Sequence, residues 1–153
     1  MEREQLVKHL NGGEAFMPIT KVLEEISFDN IGKRIYDLPY SFYEIFFHIT
    51  YTQKDILDYI ILDDYKTPKW PEGYWDQKQT PESEQEWEQL KEQFFKEREQ
   101  LSKYIQDESN DLDTPVKNSD KHSLLRELLL VIEHNAHHTG QLILLLRLLG
   151  DHK

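Results

Sequence analysis

Apolar residues recur along most of this chain at intervals of three and four, the spacing that lines side chains along one face of an α-helix. From Glu2 to Ile26 the character is helical but is interrupted by Gly12-Gly13, after which Phe16, Ile19, Leu23 and Ile26 resume a one-face pattern. One helix is expected there, kinked or broken near the glycines. The rhythm lapses between Phe28 and Pro39 and returns at Ser41-Phe42-Tyr43-Glu44, where a serine followed three residues later by a glutamate matches a capping box. A second helix therefore begins at about Ser41, runs through Ile45, Phe46, Ile49, Ile56, Leu57 and Ile60, and fades at Asp63-Asp64.

Thr80-Pro81 offers the next helix start, with proline at the first helical position, and Trp87, Leu90, Phe94, Leu101 and Ile105 recur down one face as far as Asp107. The fourth helix, from about Ser123 to Leu149, is leucine-rich and stops at Gly150. With no alternating strand pattern and no internal repeat, the expected fold is all-α, an antiparallel four-helix bundle forming one domain over residues 1–153. Between the second and third helices, Thr67-Pro68-Lys69-Trp70-Pro71-Glu72-Gly73-Tyr74-Trp75 is too irregular for a helix and too apolar for a plain linker. It is expected to be an ordered loop packed on the domain.

Composition narrows the chemistry. The chain has no cysteine, so any metal must be held by His, Asp or Glu, and disulfides and cysteine nucleophiles are excluded. A net charge of -11, from 29 acidic against 18 basic residues, repels phosphate backbones, so nucleic acid is not an expected partner. The start Met1-Glu2-Arg3-Glu4-Gln5 lacks the pattern of a signal peptide and no run approaches membrane-spanning length. These features lead to the expectation of a cytoplasmic protein with no membrane partner.

Against that background the run Ile132-Glu133-His134-Asn135-Ala136-His137-His138-Thr139-Gly140-Gln141 stands out. His134 and His138 are one helical turn apart, so both rings can reach one ion. At about 100° per residue His138 falls within the apolar arc of Leu128, Val131, Ile132, Asn135, Leu142, Leu146 and Leu149, His134 on its flank and His137 on the opposite side. A solvated or core-satisfied pair of rings has the same spacing, so spacing alone does not establish a metal. Asn135 stands where a helix-borne metalloprotease motif needs glutamate, which removes that chemistry.

A metal site needs a further protein ligand from another helix, and His48, in the middle of the second, is the natural candidate although its wheel position lies beside the apolar arc. Glu44, Asp55, Glu133 and Gln141 are near enough in sequence to orient the rings, with Asp55 and Gln141 favoured. Tyr74 and Trp75 are candidate walls of a pocket for a small-molecule substrate, or simple packing residues. Gly140, mid-helix, is either incidental or a place of close approach.

The run His134-x-x-x-His138-Thr139-Gly140-Gln141, together with Tyr43 to Leu57 around His48 and the Trp70-Pro71-x-x-x-Trp75 loop, resembles the DinB-like superfamily, which includes YfiT-type proteins and bacillithiol transferases. The resemblance covers almost the whole chain. It implies a four-helix bundle in which His48, His134 and His138 bind one divalent metal, zinc or nickel by the usual suggestions, and in which homodimers are common. It also implies activities that vary, among them transfer of a low-molecular-weight thiol to electrophiles. Hydrolysis of a small substrate and a noncatalytic, metal-stabilised binding role stay open. The apolar circumference of the second helix, Phe42 to Ile61, adds to the expectation of a homodimer.

Overall fold

The computed structural model describes residues 1–153 and contains helices α1 (Glu2–Asn11), α2 (Ile19–Glu25), α3 (Phe42–Ile61), α4 (Glu84–Gln106) and α5 (Leu124–Leu149), with a single 3₁₀ turn at Glu72–Tyr74. α3 packs against α4 and α5, α1 packs against the same two, and α2 lies on α5. α1 and α3 thus occupy opposite corners of a core helical bundle. There are no strands. None of the helices is long and apolar enough to cross a membrane.

The N-terminal segment is broken rather than kinked. Gly12 and Gly13 adopt φ of 74° and 91°, conformations that close α1 and that side-chain-bearing residues resist. Pro18 then caps α2. α3 starts where the capping box predicts, with Ser41 Oγ accepting from the Glu44 amide and the Glu44 carboxylate accepting from the Ser41 amide. Arg34 pairs with the same carboxylate, fixing the strap that precedes the helix.

α4 starts later than Thr80-Pro81 suggests. Ser83 Oγ accepts from the Glu86 amide and wins the cap, while Pro81 is left outside the helix and buried. The loop between α3 and α4 is ordered, as expected, and carries the 3₁₀ turn. It lies along α3, tied by Tyr43 Oη to Asp76 Oδ2 at 2.6 Å and by the hydroxyls of Tyr65 and Tyr74 to the two oxygens of Asp55 at 2.7 and 2.8 Å.

The apolar core falls into two clusters. One gathers Phe42, Phe46, Ile49, Trp87, Phe94, Leu142 and Leu146; the other gathers Leu6, Leu10, Ile56, Ile60, Leu101, Ile105, Leu128 and Val131. Between them each long helix contributes buried polar groups: His48, Thr50 and Gln53 from α3, Glu97 and Arg98 from α4, Asn135 and Thr139 from α5. This polar belt sits level with the α1–α2 break. Burying so many polar groups is unfavourable unless they find partners, so the belt is where function is to be sought.

Two expectations about surfaces change. The apolar circumference of α3 is consumed inside the bundle, and its large apolar side chains are not exposed. The large apolar residues left exposed on a long helix are chiefly Leu129, Leu130, Leu144 and Leu148, on α5. Gly140 is no site of close approach: a methyl group built on it meets no atom within 4 Å.

Candidate metal centre

The belt brings His48 from α3 against His134 and His138 from α5, with one ring nitrogen of each within 4.8 Å of the others. His48 is 4 % exposed, so its off-arc wheel position faces the cleft between α3 and α5 rather than water. Nε2 of His48 and Nε2 of His134 approach to 3.0 Å. His137 is exposed on the outer face of α5, although its ring lies beside that of His138 with centroids 4.8 Å apart.

The far side of each ring determines which nitrogen is free. His48 Nδ1–H donates to the Tyr74 carbonyl at 3.0 Å, which leaves Nε2 as a lone pair turned toward His134. His138 Nδ1–H donates to Gln141 Oε1 at 2.6 Å, an i, i+3 contact along α5. His134 Nδ1 is buried with no hydrogen-bond partner. The orienting groups are thus a loop carbonyl and Gln141. Asp55 touches no imidazole; it holds Tyr74, whose carbonyl holds His48.

Trp75 lies flat on His48, ring centroids 4.0 Å apart and planes 4° apart, and Tyr40 stacks on the other face of the indole at 4.1 Å. This three-ring stack walls the cluster on the loop side. Tyr74 turns its backbone to His48 and its hydroxyl to Asp55, so its side chain packs away from the histidines, edge-on to Tyr51 and Trp70.

Burial dominates the electrostatics. It pushes the His48 imidazole down to about 4, with the nearby His138 ring acting the same way and the Tyr74 carbonyl opposing it. His134 is pushed down to about 3 by burial, reinforced by His138 and His48, so the ring assigned by the helical wheel to the flank is the more enclosed. Burial also lowers His138, against the pull of Gln141. All three rings are neutral at pH 7, the state in which imidazole binds metals without displacing a proton.

The closest pair of donors has the spacing of ligands on one divalent ion. Ligand nitrogens about 2.1 Å from one ion stand about 3.0–3.4 Å apart in octahedral or tetrahedral arrangements, and the His48–His134 separation of 3.0 Å falls in that range. Two lone pairs cannot face each other at this distance unattended; either a proton on His134 Nε2 or a cation must lie between them. With the proton there, His134 Nδ1 becomes a buried acceptor without a donor. A cation would leave both Nε2 lone pairs employed, with the proton on Nδ1, which has no hydrogen-bond partner in either state.

The fold and site define a class: an all-α bundle whose polar interior carries a cluster of three histidines able to coordinate a metal. The chain belongs to the DinB family, whose profile matches residues 5–153. No curated protein and no solved structure matches it.

His48, His134 and His138 converge from α3 and α5, while Gln53 and Arg98, which occupy the belt from α3 and α4, were not among the residues that the sequence singled out. A signal was present. Each stands at a core-spaced position between apolar neighbours, Gln53 between Ile49 and Ile56 and Arg98 between Phe94 and Leu101.

Proposed function

We propose that this chain is a metal-dependent enzyme in which Nε2 of His48, His134 and His138 hold one divalent ion, zinc or nickel, and that it uses a low-molecular-weight thiol as cosubstrate. The observation that carries the reading is the convergence of three neutral imidazoles whose ligand nitrogens lie within 4.8 Å of one another, two of them held by hydrogen bonds on their far nitrogens. Three uncharged ligands leave the charge of an ion undiminished and leave it open positions, as catalytic sites do. When bound, a divalent ion supplies the Lewis acidity that lowers the pKa of a thiol or a water delivered to it.

The chain's own residues do the rest. Tyr74 and Gln141 fix the ring orientations, Trp75 and Tyr40 shield His48 from water on the loop side, and the absence of cysteine requires the thiol to arrive from outside. The cluster is built of imidazoles alone, and the thiol reading is preferred to hydrolysis for the thiol-using relatives that the sequence resembles. Family membership supports the metal but leaves the reaction to experiment.

Purified protein is expected to contain close to one transition-metal ion per chain, lost in His48→Ala, His134→Ala and His138→Ala and kept in His137→Ala. Metal-loaded protein is then assayed with thiols against a panel of electrophiles. Well-folded protein that takes up no metal would sink the reading. Metal binding without turnover, together with failure of added thiol or imidazole to perturb a cobalt-substituted site, would favour a structural ion.

A further inference from the structure

The same polar belt contains a second buried polar cluster, one residue further round α5 from His134 and His138 and facing α1 and α4. Arg98 is 6 % exposed, and its guanidinium has three kinds of neighbour. Nε–H donates to Gln53 Oε1 at 2.7 Å, Nη1–H donates to the Leu10 carbonyl at the end of α1, and the Phe94 ring lies 4.5 Å from Cζ. Gln53 is itself held, its amide donating to the Phe94 carbonyl at 2.9 Å. None of these partners carries negative charge. No carboxylate lies within ion-pair distance of Arg98, and Nη2 is buried with no partner at all.

A buried, uncompensated guanidinium is among the least favourable features a core can hold. Desolvation brings Arg98 down to about 10, which still leaves it charged at neutral pH. Arg98 lines a cavity of about 20 Å³ between the α1–α2 break, α4 and α5, and Asn135 and Thr139 line the same cavity. Asn135 is 7 % exposed, and both of its amide atoms lack partners. A polar cavity of this size holds one small species. A monatomic anion is the smallest occupant that carries the charge Arg98 lacks.

We propose that Arg98 and Asn135 bind a single monatomic anion, a halide such as chloride, in this cavity. Arg98 Nη2–H and the Asn135 amide N–H are the donors, and the Thr139 hydroxyl is within the same lining. A water molecule would satisfy the orphan N–H donors but not the charge, whereas a halide answers both the donors and the charge; Asn135 Oδ1, an acceptor, gains nothing from it. The site ties the end of α1 to α4 and α5 at the level where the N-terminal helix is broken.

Thermal unfolding of the purified protein in sodium chloride or bromide, against sodium gluconate at matched ionic strength, tests the assignment together with ³⁵Cl linewidths. The halides are expected to raise Tm by about 3–6 °C at ten times Kd, and the protein is expected to broaden the chloride resonance until bromide competes. Arg98→Met should abolish both effects, while His138→Ala should keep them, which separates this cavity from a halide sitting on a metal. Equal Tm in chloride and gluconate with no line broadening overturns the proposal, as does a halide effect that survives Arg98→Met or vanishes in His138→Ala. Should Arg98→Met not fold, the wild-type and His138→Ala measurements decide alone.

Discussion

Gln141 is exposed on α5, yet its Oε1 is the acceptor that turns His138 so that Nε2 faces inward. Groups of this kind set both the tautomer and the basicity of a ligand imidazole, and their loss commonly weakens metal binding 10- to 100-fold. Gln141→Ala is expected to reduce metal affinity by about that factor in competition with a chelating dye, with unchanged circular dichroism. Unaltered affinity would make the 2.6 Å contact incidental. Gln141 was legible in the sequence because an i, i+3 neighbour on a helix is within reach by geometry alone. The Tyr74 carbonyl was not, because a backbone atom of an irregular loop carries no residue-type signal and its position depends on Asp55 gripping the Tyr74 hydroxyl.

At the scale of the helix, Gly140 and Gly32 make opposite predictions from one substitution. Gly140 is exposed in the middle of α5 with open space where a methyl group would go, so Gly140→Ala is expected to stabilise by about 0.5–1 kcal/mol, the usual helix-propensity difference. At Gly32 the added carbon would lie 2.3 Å from Thr80 Cβ, so Gly32→Ala is expected to destabilise; urea midpoints of the two variants check both signs. Periodicity fixed the long helices well. Ser41 and Gly150 mark their ends with side-chain or left-handed caps that a sequence displays openly. It failed at the start of α4, where Pro81 and Ser83 compete and the outcome depends on what Pro81 packs against. It also passed over the belt, since a lone glutamine or arginine at a core-spaced position reads as a defect until its partners on other helices are seen.

For the whole molecule, the lowered histidines make stability depend on acid. In the unfolded chain their imidazoles take up protons near pH 6.5, whereas in the native protein His48 waits until about 4 and His134 until about 3. Between those limits the unfolded state binds more protons, so native stability is complete above about pH 6.5 and declines as the pH falls toward 4. Metal-free protein is expected to show urea midpoints that drop from pH 7 to 5, before most carboxylates titrate, and His134→Leu should flatten the drop. Glu97, raised by burial, acts in the opposite sense. A pH-independent midpoint would contradict the burial of the cluster. The Tyr40–Trp75–His48 stack gives the same events an optical signature. Of the three tryptophans, Trp87 is embedded in the Phe42 and Phe46 core and Trp70 is largely in solvent, so only the Trp75 indole lies flat against one of the clustered imidazoles. Its fluorescence should dim when His48 gains a positive charge and respond to an ion at the ring's other edge, a signal that Trp75→Phe would erase, so that the protein reports the occupancy of its own interior.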